Sequence, residues 1–156
     1  MAVSGSACDR QDTGFFRLGY FEPLSSGDVR SHGVNQPVSS DLPGPAINCV
    51  VTPKDDGFYV GGFVQLYEAP YSFFSFNGQV HKDNVPENKV TVSFLVDNQT
   101  YNTTACTLSY ATPQHHIQPG ELWAQISCPD AAAPSAIVPP PVRCDVVTTI
   151  RFRECQ

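Results

Sequence analysis

Hydrophobic and polar residues alternate with a period of two along much of the chain, most cleanly in "KVTVSFLVDNQTYNTTACTLSYA" (89–111). Val90, Val92, Phe94 and Val96 take every second position, with Thr91 and Ser93 between them. One dry and one wet face is the pattern of a half-buried strand. Asp97-Asn98-Gln99-Thr100 breaks it with residues that bond nearby backbone and tolerate left-handed φ, as a hairpin tip requires. A second alternation then places Cys106, Leu108 and Tyr110 inward. The same pattern recurs around Phe16, Leu18 and Tyr20 in 13–21, in 47–52, in "FYVGGFVQLYE" (58–68), in 71–81, in "ELWAQIS" (121–127) and in "CDVVTTIRFREC" (144–155).

Punctuation between these runs is equally regular. Pro53 to Gly57 reads as a turn, Asn77-Gly78 as a hairpin tip, and the pair Gly61-Gly62 as a bulge or a tight bend in a barrel strand. Residues 22–46 and 129–143 are rich in proline and lack periodicity, so both read as surface loop insertions. About eight short strands and no helical period predict an all-β fold, an antiparallel barrel or sandwich with disulfides. Residues 1–156 form a single domain.

Composition narrows the compartment. Only 15% of residues are charged, against roughly 25% in typical domains. Neutral Ser, Thr, Asn and Gln take their place, as in many exported β proteins. A net charge of −6 disfavours nucleic acid or an anionic membrane as partner. No apolar run approaches the ~20 residues that span a bilayer. "MAVSGSACDR" reads as a mature terminus, with an initiator Met or a few cloning residues in front of it.

Six cysteines, Cys8, Cys49, Cys106, Cys128, Cys144 and Cys155, form an even set without metal-ligand spacing. They predict a disulfide framework and a secreted, extracellular protein. Sequence leaves the pairing open. The preferred scheme joins Cys106 to Cys128, inward on strands near each other in sequence, with Cys8–Cys155 clasping the ends and Cys49–Cys144 remaining. Asn98-Gln-Thr100 and Asn102-Thr-Thr104 are glycosylation triplets. Asn98 suits a hairpin tip. Asn102 shares parity with inward Cys106, so it must lie beyond the core edge or past a bulge.

Candidate chemistry is sparse. No catalytic or cofactor-binding fingerprint occurs, so neither a cofactor nor a metal is expected, and the chain reads as non-enzymatic. His81 or His115 with Glu68 or Glu121 is the one conceivable acid–base pairing, as in a small secreted hydrolase or nuclease. Aromatic residues at nominally wet positions point elsewhere. Trp123 lies opposite Leu122, Ala124 and Ile126, and Tyr59, Phe63 and Tyr67 share the parity of Gln65. Such rings are either covered core or a contact surface for sugar or protein.

Phe58-Tyr-Val60-Gly-Gly-Phe63, Val92-Ser-Phe94-Leu-Val96-Asp97, the Thr-rich strand ending in Cys106 and the final Phe-containing strand resemble small secreted proteins of plant-associated fungi. The resemblance is to the group of the rice blast hypersensitive-response-inducing elicitors and the Alternaria major allergen type. It implies a disulfide-stapled β-barrel without catalysis that provokes defence or cell death in a plant host, a virulence effector whose partner is a host protein or cell-surface glycan. The six cysteines and both Pro-rich insertions depart from the allergen type, so no residue role is carried over. The alternative is an extracellular carbohydrate- or small-ligand-binding module acting through Trp123, Tyr59, Phe63 and Tyr67.

Overall fold

Alternation becomes pleated sheet over most of the chain. A computed structural model describes residues 2–7, 16–18, 20–23, 29–32, 46–66, 72–85, 88–96, 99–132 and 143–156. In chain order the strands are β1 (Ala2–Ala7), β2 (Phe16–Leu18), β3 (Tyr20–Pro23), β4 (Val29–His32), β5 (Ala46–Lys54), β6 (Gly57–Leu66), β7 (Ser72–Val80), β8 (Lys89–Val96), β9 (Gln99–Ser109), β10 (His116–Gln118), β11 (Glu121–Ala132) and β12 (Arg143–Phe152). Ten of them make one sheet in the order β2-β1-β12-β11-β9-β8-β7-β6-β5, with β10 paired on β11; β3 and β4 form a separate ladder. All pairings are antiparallel, and the eight longer strands are β1, β5 to β9, β11 and β12. The predicted all-β, barrel-like architecture of about eight strands is the one observed.

The sheet curls until it nearly closes. β5 ends the path, yet its outer edge is hydrogen-bonded to the segments that flank β11 and β12. Val51 N–H donates to the Gln156 carbonyl at 3.0 Å, and Gln156 N–H donates to that of Cys49 at 3.2 Å. Gly120 N–H donates to Val51 O, and Cys155 N–H to Gly120 O, both at 3.0 Å. The Cys49–Cys155 disulfide crosses this seam. Pairing an edge in this way removes the unpaired backbone groups that invite aggregation.

Side chains fill the interior. Val51, Val60, Val64, Phe74, Phe76, Val80, Val90, Val92, Phe94, Leu108, Leu122, Ala124, Ile126, Val146, Ile150 and Phe152 are all buried in one cluster. Phe76 meets Phe74 at 6.1 Å between ring centroids and Phe152 at 5.6 Å, so β7 touches β12 through the core. A barrel of this strand number is just wide enough for side chains to fill it.

Several sequence expectations change. Gly61-Gly62 makes no bulge, because the β5–β6 and β6–β7 registers run through it without a shift. Asn77-Gly78 is no hairpin tip but lies inside β7, paired on both sides. The predicted loop at 22–46 contains Pro23 of β3 and all of β4, and Ala46 begins β5. The 129–143 insertion begins as strand, since β11 continues to Ala132 through a register shift between Cys128 and Ala131; Asp130 takes the left-handed φ of 58° there. β1 and β10 were not expected at all.

Cys106–Cys128 forms as predicted. Cys49–Cys155 replaces the expected Cys8–Cys155 and Cys49–Cys144, because the tail beyond Phe152 returns to β5 and not to the N-terminus. Cys8 and the Cys144 side chain lie outside the described residues. The β9 register shifts where Val90 opposes Cys106 and Val92 opposes Thr103. This bulge reverses inside and outside, so Tyr101 and Cys106 are both buried while Asn102 is exposed. Asn98 is outside the described residues. Among those residues no helix is long and apolar enough to cross a membrane.

Candidate functional site

With the interior occupied by rings and aliphatic groups, the side chains of the described barrel that a partner can reach lie on its outside. Outward positions on β5 are Ala46, Asn48, Val50, Thr52 and, at its end, Lys54; on β6 they include Tyr59, Gly61, Phe63 and Gln65; on β7 they are Phe73, Ser75, Asn77 and Gln79. Register aligns them in rows: Thr52–Tyr59–Gln79, Val50–Gly61–Asn77 and Asn48–Phe63–Ser75. Among them only Lys54 carries a charge, and at the same end Lys89 of β8 stands beside Gln79. Tyr59 is 40% exposed, Phe63 is half-buried, and Asn48, Thr52, Asn77 and Gln79 are exposed.

Local features level this face. A Cβ at Gly61 would lie 3.1 Å from Val50 Cγ1, so Val50 occupies the space above Gly61 and floors the interval between the two rings. At ~3.3 Å per residue, Tyr59 and Phe63 stand about 13 Å apart along one strand. Two hydrogen bonds steady the rim: Gln79 Nε2 donates to Asp55 Oδ2 at 3.4 Å and Ser75 Oγ to Ser93 O at 3.4 Å. Asp55 occupies the tight β5–β6 turn with a φ of 53°, a conformation aspartate tolerates.

The structure separates the other predicted aromatics from this face. Trp123 sits on β11, with β9, β8 and β7 between it and β6. It is only 5% exposed, so it is a covered residue and not a displayed one. Its ring is stacked by Arg151, whose Cζ lies 4.3 Å from the centroid, with His115 at 5.6 Å and His116 at 6.4 Å beside it. Tyr67 lies outside the described residues. The surface expected from four aromatics is therefore carried, in the described residues, by Tyr59 and Phe63.

The Trp123 cluster also shows what the histidines do. Glu121 Oε1 receives Arg153 Nε at 3.0 Å, Arg151 Nη2 at 3.4 Å and lies 3.5 Å from His116 Nε2. Gln118 Nε2 donates to the other oxygen at 3.1 Å, so both carboxylate oxygens are committed. His115 does not meet Glu121; its Nδ1 accepts from Ala111 N–H at 3.0 Å. Burial first, and then the neighbouring His116, hold His115 below the ordinary histidine pKa. His81 Nδ1 lies 3.6 Å from Asp56 Oδ2 of the β5–β6 turn, and Glu68 is outside the described residues. No group of three or more His, Cys, Asp or Glu positioned for a metal occurs among the described residues.

The molecule is an all-β, nearly closed antiparallel sheet with two disulfides, a filled interior and aromatic rings on the outer face of β6 and β7. Compared with protein-family models, curated proteins and solved structures, the chain matches none of them. The polar rim residues Asn48, Thr52, Asn77 and Gln79 escaped the sequence reading. Their signal, polar uncharged residues brought into rows beside Tyr59 and Phe63, is visible only once the registers are known.

Proposed function

We propose that this protein is an extracellular, non-catalytic binding module that works through the outward face of β5, β6 and β7. One observation carries the reading: an outward surface uncharged from Ala46 to Thr52 on β5 and along β6 and β7 bears three aromatic rings, Tyr59, Phe63 and Phe73, on one sheet. Rings supply apolar contact area at low entropic cost, and amides and hydroxyls at the rim supply direction. Two disulfides are consistent with an oxidising compartment. The elicitor reading drawn from the fungal resemblance is the case in which the bound component belongs to a plant surface.

Adsorption of labelled protein to insoluble extracellular material, plant cell walls first, tests the module. Wild type is expected to adsorb and a Tyr59→Ser, Phe63→Ser double variant, shown folded by circular dichroism, is expected to lose adsorption. Equal adsorption of the two proteins overturns the face as the working surface. For the elicitor case, leaf infiltration with both proteins is expected to give a response to wild type alone.

A further inference from the structure

We infer that the occupant of this face is an uncharged polysaccharide chain lying lengthwise along β6, with Tyr59 and Phe63 as two stacking platforms. The inference rests on the binding-module reading and narrows it to a ligand class and an orientation.

Four features of the face select this occupant. Tyr59 and Phe63 belong to one strand, so the line joining them runs along β6 and not across the sheet, and Phe73, the third outward ring, stands beyond Phe63 on β7 in the row of Gln65. Their separation of about 13 Å suits an extended chain that contacts one platform, passes over an intervening stretch and contacts the next. Between them Gly61 has no side chain and Val50 fills the space above it, so nothing tall interrupts the path. Along both sides stand Asn48 and Thr52 on β5 and Ser75, Asn77 and Gln79 on β7. Amides and hydroxyls donate and accept, as a polyol's hydroxyls require.

Charge and area argue against other occupants. Charge is confined to one end of the face, where Lys54, Lys89 and Asp55 bring both signs together, so neither a polyanion nor a polycation finds complementary charge along its length. Three strands at ~4.8 Å and six residues at ~3.3 Å bound a patch of roughly 300 Å². A stable protein partner needs about 800 Å² from each side. A sugar ring presents its apolar C–H face to an aromatic ring and its hydroxyls to the rim, so a narrow strip suffices.

Affinity electrophoresis in native gels tests this with purified β-glucan, xylan and galactomannan as neutral chains and polygalacturonate as the anionic one. At least one neutral polysaccharide is expected to retard the protein. Tyr59→Ala is expected to weaken that binding ~10-fold, about 1.4 kcal/mol, as the loss of one aromatic contact. Gly61→Gln, which raises a side chain between the platforms, is expected to weaken it comparably with the fold intact by circular dichroism. Retardation is expected to be unchanged between low and high salt, because no ion pair contributes.

Three outcomes overturn the inference. Retardation by polygalacturonate alone is one. Another is neutral-chain binding that Tyr59→Ala and Gly61→Gln leave intact. The third is Tyr59-dependent adsorption to cell walls that protease treatment abolishes and glycan-degrading enzymes spare; this leaves the binding-module reading standing and makes the partner a protein. Absence of Tyr59-dependent binding to cell walls and to every purified chain overturns both.

Discussion

Gly61 and Gly62 are neighbours with opposite environments. A Cβ at Gly62 would intrude on the Phe76 ring and lie 2.9 Å from Phe152 Cζ, whereas one at Gly61 meets only Val50 Cγ1 at 3.1 Å. Gly62→Ala is therefore expected to cost about 1–3 kcal/mol as an overpacked core, and Gly61→Ala under about 1 kcal/mol, because the Val50 side chain can move. Urea denaturation of the two variants measures the contrast, and equal costs would contradict the packing. The glycine pair was legible as something special in sequence. Its role was not, because a gap left for rings from β7 and β12 depends on partners distant in the chain. Trp123 teaches the same lesson, since parity placed it outward and only the register with Arg151 on β12 and His116 on β10 shows it covered. His115 gives a residue-scale pH dependence. Its folded pKa is lowered by burial and by His116, so between that value and the unfolded value of about 6.5 the unfolded chain binds more protons. Its contribution is fully present above pH ~6.5 and is lost as pH falls through the folded pKa. His116 and Trp123 are the groups that face it. Scanning calorimetry is expected to show Tm declining below pH ~6.5, with a shallower decline in His115→Gln.

At the scale of elements, strands with clean alternation were legible and short or crowded ones were not. The β8–β9 hairpin follows from Val90 to Leu108 as read, since one dry and one wet face is the condition for lying on a core. β1 (Ala2–Ala7), β4 (Val29–His32) and β10 (His116–Gln118) are short and hold few large apolar residues, and their partners decide their conformation. Asn77-Gly78 misled because glycine serves there for close strand approach: a Cβ at Gly78 would sit 2.5 Å from Lys89 O. The connection from β7 to β8 is organised by a single polar residue. Asn88 is fully buried; its Oδ1 accepts from His81 N–H at 2.7 Å, and its Nδ2 donates to Asp83 O at 2.8 Å. Its own carbonyl accepts from Leu108 N–H at 2.8 Å, tying the loop to β9. Tyr110 completes the arrangement, its hydroxyl donating to His81 O at 2.8 Å, and burial, with the Asp83 charge adding, raises its pKa well above the ordinary tyrosine value. Asn88→Ala strands buried backbone groups and is expected to cost about 2–3 kcal/mol. Tyr110→Phe, which removes one hydroxyl, is expected to cost about 1 kcal/mol. Chemical denaturation of both variants checks the order, and a cheaper Asn88→Ala would refute the assignment of the loop to Asn88.

Across the whole molecule, closure is the property that sequence could not reveal. Alternation specifies that each strand has an inner face, but not which distant edges meet. Cys106 and Cys128 pair at a separation of 22 and were predictable as near neighbours. Cys49 and Cys155, 106 residues apart, were not, because their meeting depends on the curl of the sheet returning the C-terminal tail to β5. Chain entropy assigns about 3 kcal/mol to the shorter loop and about 5 kcal/mol to the longer one. The Cys49→Ser, Cys155→Ser variant should therefore lose more stability in urea than Cys106→Ser, Cys128→Ser, even though the latter bridge is the more buried. Location adds a second expectation. Once the bridge is gone, the seam rests on the backbone bonds of Val51, Gln156, Cys155 and Gly120, so hydrogen exchange should accelerate at the Val51 and Gln156 amides while the Leu108 amide, held from the opposite side of β9 by Asn88, stays protected. Because β5 supplies Asn48, Val50 and Thr52 to the outer face, binding through Tyr59 should weaken along with that seam, in conditions where circular dichroism still reports a folded sheet. Uniform acceleration of exchange over all strands would show instead that the bridge holds the barrel globally and that the face has no separate dependence on the seam.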